Sequence, residues 1–180
     1  MTTAGFRPTR RTFLAATATL TAVGLAGCSG DDAPAPAEID DTDSCVECGM
    51  ILRDHPGPVG QAHFDADADP SMYCSSSCTY RNRLDRDDEP VVTYLTDYSA
   101  VDYEVTGDES RFISAHFEVD AFEAEPELDL VVASDVDGAM GPSLVPFSDP
   151  DDAAAFQQQY GGDIVPATDV SEDTMSAVGR

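Results

Sequence analysis

A chain of 180 residues has room for one domain or two small ones. It carries 35 Asp and Glu against 9 Arg and no Lys, a formal net charge of −26, and this excludes a nucleic-acid binder, which needs a basic face. Apolar residues make up 42%, which is enough for a packed core. Acids without Lys are typical of a halophile protein, because molar salt shortens the Debye length to about 3 Å and screens self-repulsion.

The first 27 residues predict a twin-arginine lipoprotein signal peptide. Arg10 and Arg11 form its charged start, and the small and apolar run over 13–27 is too short to span a bilayer, which needs about 20 residues. The run ends in Leu-Ala-Gly before Cys28, which resembles a lipobox, where the cysteine becomes a lipidated N-terminus. We therefore expect twin-arginine export and a lipid anchor at Cys28, on the outer face of the cytoplasmic membrane.

Residues 28–44 are rich in Pro, Ala, Ser and acids, and they predict a disordered tether between the lipid and the folded part. Residues 45–98 then predict a first ββαβ unit. Its elements are expected over 48–53 and 59–65 for the strands, 75–85 for the helix and 91–96 for the last strand.

Four cysteines in this unit form a C-x-x-C pair, Cys45 and Cys48, and a C-x-x-x-C pair, Cys74 and Cys78. Outside the cell, four cysteines allow three disulfide pairings, and they equally allow one metal site with four thiolates. Cys74 and Cys78 lie one turn apart at a predicted helix start, where thiols ionise readily. The spacing alone does not choose between a disulfide and a metal.

Met50 and His63 are further candidate ligands in the first unit. If residues 48–53 form a strand, Cys48 and Met50 lie on one face, and a thiolate beside a thioether selects Cu(I) over harder ions. His63 lies in a predicted strand and is a candidate third ligand. Core packing is the ordinary role of a methionine, so the argument depends on the neighbouring cysteine.

Residues 99–127 predict an acidic connecting segment, 128–170 a second ββαβ unit and 171–180 a tail. The second unit is expected to contain strands over 128–134 and 143–147, a helix that begins after Asp149 and a strand over 163–167. Met140 lies on a Gly- and Pro-rich turn between the first two of these strands, and we predict it to be an exposed soft ligand. The expected fold class is α+β, with two related ββαβ units.

The order of short motifs resembles the NosL family, from about residue 45 to residue 170. The motifs are Cys48-Gly49-Met50, His55-Pro56-Gly57-Pro58-Val59-Gly60-Gln61, Met140-Gly141, Val145-Pro146-Phe147-Ser148-Asp149 and Gly161-Gly162. The resemblance implies two ββαβ units, related to a domain of organomercurial lyase. It also implies a lipid-anchored protein that binds Cu(I) and delivers it for the copper–sulfide centre of nitrous oxide reductase, beside a membrane transporter complex.

Carried over by position, the family's sulfur ligands fall on Cys48, Met50 and Met140. The leading hypothesis is therefore an extracytoplasmic Cu(I) metallochaperone for nitrous oxide reductase maturation, and not an enzyme. Its partner would be the reductase or its transporter complex. The alternative is a general zinc- or copper-binding lipoprotein with a four-cysteine site, or a binding module stapled by disulfides.

Overall fold

The computed structural model describes residues 33–178. Arg10, Arg11 and Cys28 lie outside the described residues, so the predicted signal peptide and lipid anchor rest on the sequence. Within residues 33–178, no helix has both the length and the apolar character needed to cross a membrane.

Three α-helices, nine strands and four single-turn 3-10 helices make up the described chain. The α-helices are α1 (Ser76–Leu84), α2 (Pro150–Tyr160) and α3 (Glu172–Val178). The strands are β1 (Gly60–His63), β2 (Ser71–Tyr73), β3 (Val92–Thr96), β4 (Val105–Thr106), β5 (Arg111–Ile113), β6 (Phe122–Ala124), β7 (Asp129–Gly138), β8 (Gly141–Phe147) and β9 (Asp163–Pro166). The 3-10 turns are Leu52–Asp54, Val119–Ala121, Glu125–Glu127 and Ala167–Asp169.

The strands form two sheets with a common plan. The first has the order β2-β1-β3-β6, and the second has the order β4-β5-β7-β8, with β9 also paired to β7. In the first sheet, β1 lies between its hairpin partner β2 and the strand after α1, β3. In the second sheet, β7 lies between its hairpin partner β8 and the strand after α2, β9. All four pairs are antiparallel. The mixture of helices and sheets confirms the predicted α+β class.

Both long helices begin at the residues that helix capping predicts. The side chain of Ser75 accepts a hydrogen bond from the backbone N–H of Cys78 at 3.1 Å, and that of Asp149 accepts from Asp151 at 2.8 Å. Helix α2 ends at Gly161, whose φ of +75° is costly for any residue with a Cβ atom.

Two expectations for the secondary structure are wrong. Residues 48–53 do not form a strand, because only one isolated bridge, from Ser44 to Ile51, pairs this segment before a 3-10 turn begins. The hairpin partner of β1 is instead β2, a strand of three residues after an acidic loop. The tail over 171–180 contains α3, whose Val178 packs into the core.

The segment before the first strand packs along the sheet. The buried side-chain amide of Gln61 accepts from the N–H of Ala37 and donates to its carbonyl, both at 2.8 Å. The Tyr94 hydroxyl donates to the carbonyl of Pro34 at 2.9 Å. The disordered tether predicted over 28–44 is therefore wrong from Pro34 onward, because side chains of the sheet bind the backbone of a segment whose composition resembles a linker.

Helix α1 of the first half packs against strand β8 of the second half. The hydroxyl of Ser76, fully buried, donates to the carbonyl of Leu144 at 2.6 Å and accepts from its N–H at 3.2 Å. The hydroxyl of Ser77 donates to the carbonyl of Pro142 at 2.9 Å. These bonds fix the start of α1, and the residues it carries, against the second sheet.

Replacing Ser76 with alanine should lower the free energy of unfolding by about 1–3 kcal/mol, because both backbone groups of Leu144 lose a buried partner. The matched control is Ser134→Ala, since the buried hydroxyl of Ser134 has no hydrogen-bond partner. It should change stability by no more than about 0.5 kcal/mol. Denaturant unfolding in high salt measures both values, and equal losses would contradict the role of Ser76.

Candidate metal centre

A tight turn carries the first cysteine pair. The N–H of Cys45 donates to the carbonyl of Met50 at 2.8 Å, and the N–H of Gly49 donates to the carbonyl of Cys45 at 2.7 Å. Gly49 has a φ of +76°, in the left-handed region that favours glycine. These bonds fold the backbone so that Cys45 and Cys48 lie on one side of the turn.

Two contacts hold this turn against the rest of the first half. The N–H of Val46 donates to the carbonyl of Met72 in β2 at 3.0 Å. The amide of Asn82 in α1 donates to the carboxylate of Glu47 at 3.1 Å. The turn therefore packs against β2 and α1, the two elements that flank Cys74 and contain Cys78.

The four thiol groups meet at one point. The Sγ atoms of Cys48 and Cys74 are 3.4 Å apart, those of Cys74 and Cys78 are 3.8 Å apart, and all four lie within 4.8 Å of one another. A tetrahedral ion with bonds of about 2.3 Å to sulfur separates its ligands by about 3.8 Å. The donor set and its spacing therefore fit a single thiophilic metal ion.

All four cysteines are free thiols in this structure, so the predicted disulfide alternative is not the arrangement present. Cys45, Cys74 and Cys78 are at most 2% exposed, whereas Cys48 is exposed to solvent. The cluster thus has three inner sulfur atoms and one outer sulfur atom.

Crowding gives the thiols different acidities. Hydrogen bonds from the thiols of Cys74 and Cys78 hold the pKa of Cys45 well below its ordinary value. The hydrogen bond to Cys45 raises the pKa of Cys74, and the same interaction raises the pKa of Cys78 to about 12. The mutual hydrogen bonds therefore lower the pKa of Cys45 and raise the pKa of its two neighbours.

Met50 lies beside the cluster, but the reason differs from the predicted one. It follows Gly49 in the turn and not in a strand, and its half-buried side chain packs against the hydrophobic cluster that includes Cys45, Cys74 and Cys78. Its role as a ligand stays a prediction.

Met140 lies at the tip of the hairpin between β7 and β8 and is 41% exposed. The neighbouring Ala139 packs against the hydrophobic cluster that contains the cysteines, and Pro142 accepts the hydrogen bond from Ser77 at the start of α1. Met140 is exposed, as predicted, and its role as a ligand stays a prediction. The contact from Ser77 that places this hairpin beside the site has no local sequence signal, since 65 positions separate its two residues.

The structure does not bring His63 to the cysteines. It is the last residue of β1, about 10 Å along the strand from Gly60, which pairs with Tyr73 next to Cys74. His63 is buried, its ring lies edge-on to Tyr94 with centroids 6.4 Å apart, and neither ring nitrogen has a hydrogen-bond partner. It is a buried residue of the sheet and not a member of the cluster.

An α+β domain with four thiols around one point is a sulfur-based metal-binding domain, and the comparisons with known proteins agree with this class. The sequence profile of the NosL family matches residues 36–175, and the chain belongs to the NosL family. It is 31% identical over 158 residues to the copper-binding lipoprotein NosL of Stutzerimonas stutzeri, across 82% of this chain and 74% of that protein. The crystal structure of the copper chaperone NosL from Shewanella denitrificans matches with a TM-score of 0.64 and 26% identity, over 78% of this chain and 98% of that one.

Replacing Gly49 with alanine should weaken metal binding about 5- to 30-fold, because a left-handed backbone costs about 1–2 kcal/mol for a residue with a Cβ atom. An added Cβ atom meets nothing within 4 Å, so the effect isolates the backbone of the turn. Competition titration with a chelator measures the affinity.

The matched control for this variant is Gly161→Ala at the end of α2. Gly161 has a φ of +75°, and an added Cβ atom there also meets nothing within 4 Å. It should lower stability without changing metal affinity by more than about twofold. The same loss of affinity in both variants would contradict a specific role for the cysteine turn.

Proposed function

We propose that this chain is an extracytoplasmic Cu(I) metallochaperone, and not an enzyme, that delivers copper for the maturation of nitrous oxide reductase. The single observation that carries the proposal is the sulfur-only cluster with three buried sulfur atoms and one exposed sulfur atom. Membership of a family whose relatives are named as a copper-binding lipoprotein and a copper chaperone supports it.

The ligand chemistry supports Cu(I) as the cargo. Thiolates and thioethers are soft ligands that favour Cu(I), and two or three of them are enough to hold this ion. In this proposal Cys45, Cys74 and Cys78 supply the inner sulfur atoms and Cys48 supplies the outer one. Met50 and Met140 would complete the ligand set with thioethers. The set contains no residue that would activate water, and a carrier needs none.

Delivery requires the site to stand outside the cytoplasm, beside an acceptor. We propose that the twin-arginine signal with Arg10 and Arg11 exports the chain, and that a lipid on Cys28 anchors it to the outer face of the membrane. The lipoprotein character in the name of the Stutzerimonas stutzeri relative supports this location. The acceptor would be nitrous oxide reductase or its membrane transporter complex.

A second candidate is a zinc site, and one observation favours it. The separation of 3.8 Å between the sulfur atoms of Cys74 and Cys78 matches the spacing in a tetrahedral zinc site with four thiolates. In that case the cluster would stabilise the fold, and the protein would be a zinc-binding lipoprotein.

Thioether ligands separate the two candidates, because they bind zinc poorly. For a copper carrier, Met50→Leu and Met140→Leu should each lower the Cu(I) affinity by about tenfold and leave the zinc affinity unchanged. Met175→Leu is the matched control, since Met175 packs into the other hydrophobic cluster with Tyr80 and Leu130. Competition titrations under anaerobic conditions in high salt measure both metals, and X-ray absorption identifies the sulfur shell.

Two results would contradict the copper proposal. One is a protein purified with one zinc ion on four sulfur atoms that resists exchange with Cu(I). The other is a Cu(I) affinity that is unchanged both by the methionine variants and by Cys74→Ser, the residue whose sulfur atom contacts two others.

Export and delivery have their own test in cells. Replacing Arg10 and Arg11 with lysine should keep the protein inside the cell, because the twin-arginine pathway reads the arginine pair. Cys28→Ala should move the exported protein from the membrane fraction to the soluble fraction. Cells with either variant should contain nitrous oxide reductase with less copper than cells with the unchanged protein. Full copper loading without this chain would show that it does not serve that enzyme.

A further inference from the structure

We propose that metal leaves the cluster through Cys48, to an acceptor protein whose sulfur ligand is surrounded by basic residues. The acceptor would dock on an exit face, which consists of Val46, Cys48 and the acidic cleft beside Met72. This inference rests on the proposed function as a metal carrier, and it adds the exit route and the chemistry of the partner.

Burial defines the route. Of the four sulfur atoms, only that of Cys48 belongs to an exposed residue, so a ligand from another protein reaches the metal on this side. Val46, two residues before it in the same turn, is 55% exposed, the largest fraction among the exposed large apolar residues of the described chain. The turn therefore carries an exposed cysteine and an exposed apolar residue two positions apart.

An acidic cleft adjoins this turn. The N–H of Val46 donates to the carbonyl of Met72, and Met72 lines a cleft in which every charged wall residue is an acid. The acids are Glu38, Asp40, Asp43 and Asp69. The bonds from Gln61 to Ala37 hold one wall of this cleft in place.

The charge defines the partner. Four carboxylates beside an apolar side chain and a thiol attract a surface with Lys or Arg around an apolar or sulfur centre. They disfavour a second copy of this chain, which has a net charge of −26 and no Lys. In molar salt the Debye length is about 3 Å, so the carboxylates act on basic groups in direct contact rather than at long range.

The transfer step is a ligand exchange without electron transfer. An acceptor thiol gives up its proton and forms a bond to Cu(I), while the bond between Cu(I) and Sγ of Cys48 breaks. The freed Cys48 thiolate takes up a proton, and copper remains Cu(I). Repetition at the inner sulfur atoms moves the ion to the acceptor.

Two synthetic peptides test the exit face. Both contain the same Cys-x-x-Cys pair, flanked by Lys in one and by Glu in the other. Cu(I)-loaded protein should transfer copper to the Lys peptide about tenfold faster, because Lys in direct contact with the carboxylates favours the docked complex and Glu is repelled by them. The transfer rate is measured with the peptide at limiting concentration, in about 0.5 M and about 2 M KCl. Salt at these concentrations screens the repulsion among the carboxylates of an acidic protein.

Charge-neutral variants locate the effect. Asp40→Asn with Asp69→Asn should reduce the preference for the Lys peptide at least about threefold. Asp108→Asn with Asp137→Asn is the matched control, because it removes the same charge from another acidic cleft, in the second half of the chain. For this control, the ratio of the transfer rates to the Lys and Glu peptides should stay within about 1.5-fold of the ratio for the unchanged protein. Both double variants should bind Cu(I) with the affinity of the unchanged protein, since none of these residues lies in the cluster.

Three results would overturn the exit face: equal rates for the two peptides, equal losses in both double variants, or alkylation by iodoacetamide of an inner cysteine before Cys48 in the loaded protein. The proposed function fails separately, in the loading step, if the chain takes zinc and not Cu(I). The same comparison with zinc-loaded protein would then still decide whether exchange passes through Cys48 on this face.

Discussion

The convergence of four thiols is the constraint on which the first half of the structure depends. The segment around Cys45 and Cys48 has only one isolated β-bridge, so few backbone bonds hold it to the sheet. What holds it is the bond from Val46 to β2, the contact of Glu47 with Asn82 and the sulfur cluster itself. An ion there would join the turn to β2 and α1. The free energy of metal binding would therefore also stabilise the folded turn.

The position of the cluster depends on packing between the two halves of the chain. Ser76 and Ser77 bind the backbone of β8 in the first turn of α1, close to Cys74 and Cys78. The same contacts bring the tip of the β7–β8 hairpin beside the site. Two residues far apart in sequence, Ser77 and Pro142, are thus in contact because α1 packs against the second sheet.

The sequence was informative where the signal is local. Caps at Ser75 and Asp149 locate both long helices, and alternating apolar residues locate β3 and β7. It failed where long-range contacts decide. A segment with Pro34 and Ala37 has the composition of a linker, yet the partners that hold it, such as Gln61, are distant in sequence. The convergence of the cysteines is of the same kind, since C-x-x-C and C-x-x-x-C are each compatible with a metal or a disulfide.

The proposed carrier role requires tight binding of the ion together with its release, and the burial pattern of the cluster is compatible with both. Three sulfur atoms shielded from water hold a soft ion without competition from solvent. Because Cu(I) needs only two or three sulfur ligands, the exposed Cys48 could dissociate from the ion while the three inner sulfur atoms still coordinate it. Zinc prefers all four thiolates, so the loss of one ligand would cost it more. The same four cysteines would thus form a closed site for zinc and an exchangeable one for Cu(I), so the identity of the bound ion separates the two proposed functions.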